Sequence, residues 1–258
     1  MMGGEFLDKL LIGSLFSGIG GLELGLERSG LGSVLWQSEI DPFCKQILAK
    51  HWPEARQYGD VRNITAAGKI DLLCGGFPCQ DLSGANRTAS GLAGSRSGLW
   101  SEFRRIIALT SPDLVVIENI YHRWRRWIPV VREDLHKAGY ESYPIRLRAS
   151  DVGAPHARAR GFVLAHSIGK DVRIQSRWSS RKNREEALLA SLNGAARSVA
   201  GQSKRHWSSA TRVRRTTDGI SRRLDKNRLM ALGNAVVPQV TEVLGIAIRN
   251  CFRKGMTI

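Results

Sequence analysis

The sequence predicts an α/β domain with a largely parallel sheet, joined to a small basic recognition region. Three observations carry this. Short apolar runs of strand type alternate with helical patterns from residue 10 to residue 165. Glycines and charged side chains gather where those runs end. The charge is uneven: residues 166–258 hold 19 Lys+Arg against 6 Asp+Glu, whereas residues 1–165 hold 20 against 17.

The elements follow in order. Leu10 to Phe16 is strand-like, and Ser17 to Gly21 is a glycine-rich turn. Leu22, Leu24 and Leu26 then predict a helix ended by Gly30. Ser33 to Gln37 reads as a second strand, and Asp41 caps a helix that runs through Lys50. Ile70 to Cys74 is apolar and gives way to Gly75, Gly76 and Pro78. Residues 80–98 carry four glycines among small polar residues, a long loop of the kind that serves function. Leu99 to Leu109 is helical, and Asp113 to Ile117 is a buried-type strand ending at Glu118. Trp127 to Ala138 is a helix stopped by Gly139, and Glu141 to Arg148 and Gly161 to Ala165 complete the strands. These span a catalytic unit, 1–165. Residues 166–228 are rich in Ser, Arg, Asn and Gly with weak periodicity, a separate recognition region. Residues 229–258 regain an apolar helical pattern that packs back on the first unit.

Composition narrows the function classes. With 42% hydrophobic residues and a mean hydropathy of −0.22, the 258-residue chain can build a core, which excludes a disordered chain. No run approaches the ~18 apolar residues of a membrane span, and no signal peptide is expected at the N-terminus. Four cysteines without a CxxC pair read as reduced thiols in a cytoplasm, neither a disulfide framework nor a metal site. The net charge of +16 points to a polyanion, foremost nucleic acid, with a solubilising surface as the plainer reading.

Candidate site residues stand at the strand ends. Phe16-Ser17-Gly18-Ile19-Gly20-Gly21 lets a backbone approach a cofactor, but Glu23 stands where a dinucleotide fingerprint needs its third glycine. A nucleoside-type cofactor and a plain tight turn both fit. Glu39 can bind ribose hydroxyls, and Asp60 can accept from an adenine amino group; either can also be a surface charge. Cys79, past a strand end and beside Pro78, is a nucleophile or a small core residue. Glu118-Asn119-Ile120 follows another strand. Arg158 and Arg160 alternate onto one face of an extended segment, where they hold a phosphate and a base carbonyl or simply stay solvated. The Trp124–Trp127 stretch, with Arg123, Arg125 and Arg126, is basic and aromatic; packing is its expected role. In an open α/β sheet, ligands bind outside the carboxyl ends of the strands, and four of these features converge there.

In this order the pieces resemble the cytosine-C5 DNA methyltransferase family over nearly the whole chain. The resemblance rests on Phe16 to Gly21, Glu39, Gly59-Asp60-Val61, Pro78-Cys79-Gln80, Glu118-Asn119-Ile120, Arg158-x-Arg160 and Gly233-Asn234-Ala235-Val236-Val237-Pro238. It implies a Rossmann-like methyltransferase domain with a mixed, mostly parallel sheet and a small basic target-recognition region. It further implies S-adenosyl-L-methionine over Phe16, Ser17, Gly18, Gly20 and Gly21, with Glu39 on the ribose and Ile40, Asp60 and Val61 at the adenine. Leu99, Asn234 and Ala235 would close that site. Cys79 would attack C6 of a flipped cytosine, Glu118 would hold N3 and the 4-amino group, Arg160 would contact O2, and Arg158 would support the Cys79 loop. Gln80 and Ser83 would touch double-stranded DNA, and Arg212, Arg214 or Arg215 would read guanine edges. Kinship also implies a bacterial or phage-infected cytoplasm, a monomer, and room for a cognate restriction endonuclease.

The residue types suit that chemistry. C5 of cytosine is a poor nucleophile, and thiolate addition at C6 turns the ring into an enamine. General acid help at N3 is worth ~10²–10⁴-fold. Departures exist: Ser14 stands where the family often has an acid, His156 where it has glutamine, and Ala235 where serine is common. Two other readings stay open, a tRNA cytosine-C5 methyltransferase and a catalytically weak DNA-binding homologue.

Overall fold

The computed structural model of the chain describes residues 9–78, 98–168, 181–208 and 222–253. Its elements run β1 (Leu10–Leu15), α1 (Gly21–Arg28), β2 (Gly32–Ser38), α2 (Pro42–His51), β3 (Arg56–Tyr58), β4 (Leu72–Gly75), α3 (Leu99–Thr110) and β5 (Leu114–Ile120). There follow α4 (Trp124–Lys137), β6 (Tyr140–Arg148), β7 (Ala159–Ser167), α5 (Arg181–Ser208), α6 (Arg222–Asn234) and α7 (Pro238–Arg253). The seven strands form one sheet in the order β3-β2-β1-β4-β5-β7-β6. All pairings are parallel except those of β7, which runs antiparallel to both β5 and β6. This is the mixed, mostly parallel sheet that the sequence predicts. Strand order reverses between β1 and β4, so the crevice for a ligand opens beyond their carboxyl ends.

The strands are buried on both faces because helices cover both. Alternation divides them: Leu72, Cys74, Leu114, Val116, Phe162 and Leu164 face α1, α5 and α7. Leu73, Val115, Ile117, Val163 and Ala165 face α3 and α4. Local chemistry sets several boundaries. The Asp41 carboxylate accepts from Cys44 N–H at 2.9 Å, with Pro42 opening α2. Gly139, at φ 84°, takes the left-handed position that ends α4.

Three differences from the sequence expectation matter. First, β5 continues to Ile120, because β7 pairs Glu118 with Phe162, Asn119 with Gly161 and Ile120 with Arg160. Glu118 and Asn119 therefore lie inside the strand and not past it. Second, α4 starts at Trp124, one turn before the expected Trp127. Third, the stretch expected to lack periodicity holds the long helix α5. Its Leu188, Leu192, Ala195 and Val199 form one buried stripe against the α1 and α7 side of the core. Burying each large apolar side chain is worth about 1.5–3 kcal/mol, which is enough to dock an otherwise polar helix. The boundary drawn at 165 falls within β7, and that drawn at 228 falls within α6.

One stretch, Lys226–Cys251, is long and apolar enough to cross a membrane by length and composition alone. It is broken at residues 235–237 between two helices. The apolar side of α7 is already used in the core, with Val240, Val243, Leu244, Ala247 and Ile248 buried.

Candidate active site

The turn after β1 is built by its own backbone. Gly20 N–H donates to Ser17 C=O at 2.9 Å, and Ser17 N–H donates to Ser38 C=O of β2 at 3.2 Å. Phe16 and Gly18 both have positive φ, 54° and 56°, and the Phe16 ring stacks on Phe103 of α3. Gly20, at φ 81°, caps α1, and a Cβ there would meet the Trp52 ring. The turn is therefore more than a loose loop: its conformation is closed off from both sides.

Glu39 faces this turn. Its Oε2 accepts from Gly18 N–H at 2.7 Å, and its Oε1 accepts from Ile40 and Asp41 N–H at 2.8 Å each. Three backbone donors fix the carboxylate in place, while Oε2 keeps a lone pair for a hydroxyl. The neighbouring Ile40 is 67% exposed, an apolar side chain offering a flat surface. No side chain would touch a Cβ at Gly18 or Gly59, so the space above both is open. This cradle fits the ribose and adenine of a nucleoside-type cofactor. Asp60 is engaged otherwise: it caps the 3₁₀ turn Val61–Asn63 and grips Arg62 at 2.5 Å. That pair is exposed and readily exchanged for another partner. Val61 turns its side chain into the core, leaving only its backbone for the cofactor.

Below the turn lies a carboxyl whose role sequence reading did not assign. Glu23 is fully buried, and its Oε1 lies 2.6 Å from Ser14 Oγ and 3.4 Å from Gln37 Nε2. Ser14 Oγ in turn accepts from Ser17 Oγ at 3.0 Å. Burial raises the Glu23 carboxyl above the ordinary range, against the hydrogen bonds from Ser14, Ser17 and Gln37. The acid expected at Ser14 is thus supplied from α1. The pairing of Ser14 with an acid at 23 was the signal in the sequence.

Beyond β4 and β5 the second half of the site forms. Glu118 is buried, and its Oε1 stands 2.7 Å from Arg160 Nε, a close contact in which the N–H is poorly aligned. Loss of solvent pushes Glu118 up to about 7, with Arg160 and Arg158 opposing that rise. A Cβ at Gly76 would lie 2.6 Å from Glu118 Oε2, so only glycine lets the β4 end pass beside this acid. Asn119 Nδ2 donates to Phe77 C=O at 3.0 Å, which anchors the chain two residues before Cys79. The cysteine itself, with Gln80, Ser83, Arg212, Arg214 and Arg215, lies outside the described residues.

Arg158 reaches elsewhere. Its guanidinium donates to the carbonyls of Gly233 and, at 2.7 Å, Ala235. The same α6–α7 junction touches the cofactor turn, because a Cβ at Gly21 would lie 2.4 Å from Val236 C=O. Asn234 is exposed and Ala235 half-buried at that junction, while Leu99 opens α3 and, like Phe16, packs against the core on the α3 and α4 side. The structure thus brings Phe16 to Gly21, Glu39, Ile40, Leu99 and Ala235 around one end of the sheet, with Glu118, Arg158 and Arg160 beside them.

Comparison with known proteins agrees with this geometry. A family model described as C-5 cytosine-specific DNA methylase matches residues 10–230. The Type II methyltransferase M2.BsuMI of Bacillus subtilis is 36% identical over 160 residues, which are 59% of this chain and 41% of the relative. The Type II methyltransferase M.NgoBI of Neisseria gonorrhoeae is 32% identical over 159 residues, 59% of this chain and 49% of the relative. The chain therefore spans about half the length of the curated relatives it matches. Among solved structures, methyltransferase EhMeth of Entamoeba histolytica superposes with a TM-score of 0.59 at 16% identity, covering 96% of this chain and 99% of that one, which supports the fold.

Proposed function

The chain belongs to the C-5 cytosine-specific DNA methylase family, and from that premise we propose that it methylates C5 of a cytosine flipped out of double-stranded DNA. The observation that carries this is Glu118: a buried acid, poised near neutrality between two arginines, beside the backbone that leads into Cys79. S-adenosylmethionine, when bound, supplies an electrophilic methyl group. Glu39, Ile40 and the turn from Phe16 to Gly21 would hold it, with Asp60 released from Arg62 to meet the adenine. Leu99, Asn234 and Ala235 would close over it.

The remaining steps belong to the protein and the base. The target cytosine must leave the stack, because C6 is inaccessible within a duplex. Cys79 then adds as thiolate to C6, forming a C–S bond. Glu118, carrying its proton, donates toward N3, which removes the negative charge that addition creates on the ring. Arg160 holds O2 and keeps Glu118 oriented. C5 becomes nucleophilic and takes the methyl group. N3 then returns its proton to Glu118, and loss of the C5 proton to a base expels Cys79 as thiolate and restores the ring. We assign target recognition to region 166–228, where lysines and arginines would meet phosphates and Arg212, Arg214 or Arg215 would meet guanine. A monomer suffices for this scheme, and a cognate restriction endonuclease would be its genetic counterpart.

The test is bisulfite sequencing of plasmid DNA from cells expressing the chain, beside a Cys79→Ala control. Protection at one short motif, lost in the control, is the expected result. Soluble protein without protection would overturn the DNA reading, and the same assay on cellular tRNA would then test the RNA one.

A further inference from the structure

A second basic surface lies beside the site, on elements outside region 166–228. Directly after β5, the 3₁₀ turn Tyr121–Arg123 leads into α4. Of the aromatic residues in this corner, Trp127 is in the core, and Trp124 lies against Gly161 of β7. Tyr121 is covered by Trp124 on one side and by the Arg146 guanidinium, 5.1 Å from its ring centre, on another. Tyr121 and Trp124 are each half-buried by these contacts, while His122 is exposed. Arg125, Arg126 and Arg146 are exposed, and none makes an ion pair among the described residues. The carboxylates of α4 lie in its second half, where Asp134 holds Arg104 and Glu133 holds Lys137.

Folding gives no reason for this arrangement. The first turn of α4 contains no acid and two arginines, where the helix dipole disfavours cations. A third arginine is brought to the same corner from β6, by a different element. Three exposed guanidiniums without an ion pair among the described residues, one of them laid over Tyr121, suit a polyanion backbone. Glu118 is three residues before Tyr121 on the same continuous segment, which puts this corner next in the chain to the acid proposed to hold the base.

We propose that Arg125, Arg126 and Arg146, carried on the Tyr121–Trp124 corner, grip the phosphate backbone of the duplex next to the flipped base. This rests on the reading of the chain as a DNA methyltransferase. It makes the corner an affinity and positioning surface independent of the recognition region, without sequence preference of its own.

The experiment measures binding of the full chain to a short labelled duplex between about 50 and about 200 mM salt. An Arg125→Ala/Arg126→Ala double variant should lower the slope of log K against log salt by about 2, since each lost phosphate contact removes roughly 0.9. Its unfolding temperature and S-adenosylmethionine affinity should match those of the wild type. Lys9→Ala/Lys69→Ala removes equal charge at the opposite end of the sheet and should leave the slope unchanged. An unaltered slope in the arginine variant, or an equal loss in the lysine control, overturns the proposal. If the wild type methylates DNA while the arginine variant binds normally, only the corner is lost. If the wild type neither binds nor methylates DNA, the functional reading falls and takes the corner with it.

Discussion

Two buried carboxyls show how environment separates residues of one type. Glu23 and Glu118 are both raised by burial. Glu23 meets hydroxyls and an amide under the turn after β1; Glu118 meets Arg160, with the Arg158 charge acting from further off, and is pushed up to about 7. Glu23→Gln keeps a group of the same shape, and its unfolding free energy should stay within about 1 kcal/mol of wild type. Glu118→Gln should abolish methyl transfer while duplex binding survives. In the wild type, kcat/KM should fall about tenfold per pH unit above about 7, as Glu118 loses the proton it donates. The same shift bears on stability. A carboxyl that binds its proton more tightly when folded stabilises the fold at low pH, and this contribution is lost as pH rises through about 7. Thermal unfolding of wild type and Glu118→Gln should diverge as pH rises from about 4.5 to about 7, with a constant difference above that.

At the scale of elements, close packing is concentrated where α1 crosses α7. A Cβ at Gly25 would lie 1.9 Å from Thr241 Oγ1 and 2.2 Å from Pro238 C=O. Gly25→Ala should therefore destabilise by about 1–3 kcal/mol. Gly194, inside α5, has nothing within 4 Å of its Cβ position. Gly194→Ala should stabilise by about 0.4–1 kcal/mol, and calorimetry of the two variants would show shifts of opposite sign. The same two helices mark what a sequence reveals. Most of the strands, the Phe16–Gly21 turn and the Glu39 position were legible because strand ends carry glycine, proline and charge, whereas Glu118 was expected past its strand and lies within it. The α5 helix was not: its buried residues at 188, 192, 195 and 199 are four among many polar neighbours, and only docking on the core makes that stripe decisive. The length of β5 was hidden too, since pairing with β7 sets it and not local composition. Asp60 and Val61 sit where expected in the chain, but only tertiary contacts decide that one grips Arg62 and the other enters the core.

For the whole molecule, the net charge of +16 is divided between the basic C-terminal third and the corner beside β5. If about 6–10 phosphates are met in all, duplex affinity should drop by ~10³–10⁵ between about 50 and 200 mM salt, and a flat titration would contradict a duplex partner. One further consequence follows from the junction between α6 and α7. Thr241 Oγ1 donates to Gly21 C=O across 220 positions of chain, and Arg158 ties the same junction to β7. The turn that carries Gly21 leaves the ribosome 220 residues before the Thr241 that braces it. A half-made chain thus carries the turn without the brace, and ligand affinity should arise late and abruptly during synthesis. Closing so long a loop also slows refolding, so the newly made protein passes through a period of exposed apolar surface before it can bind anything.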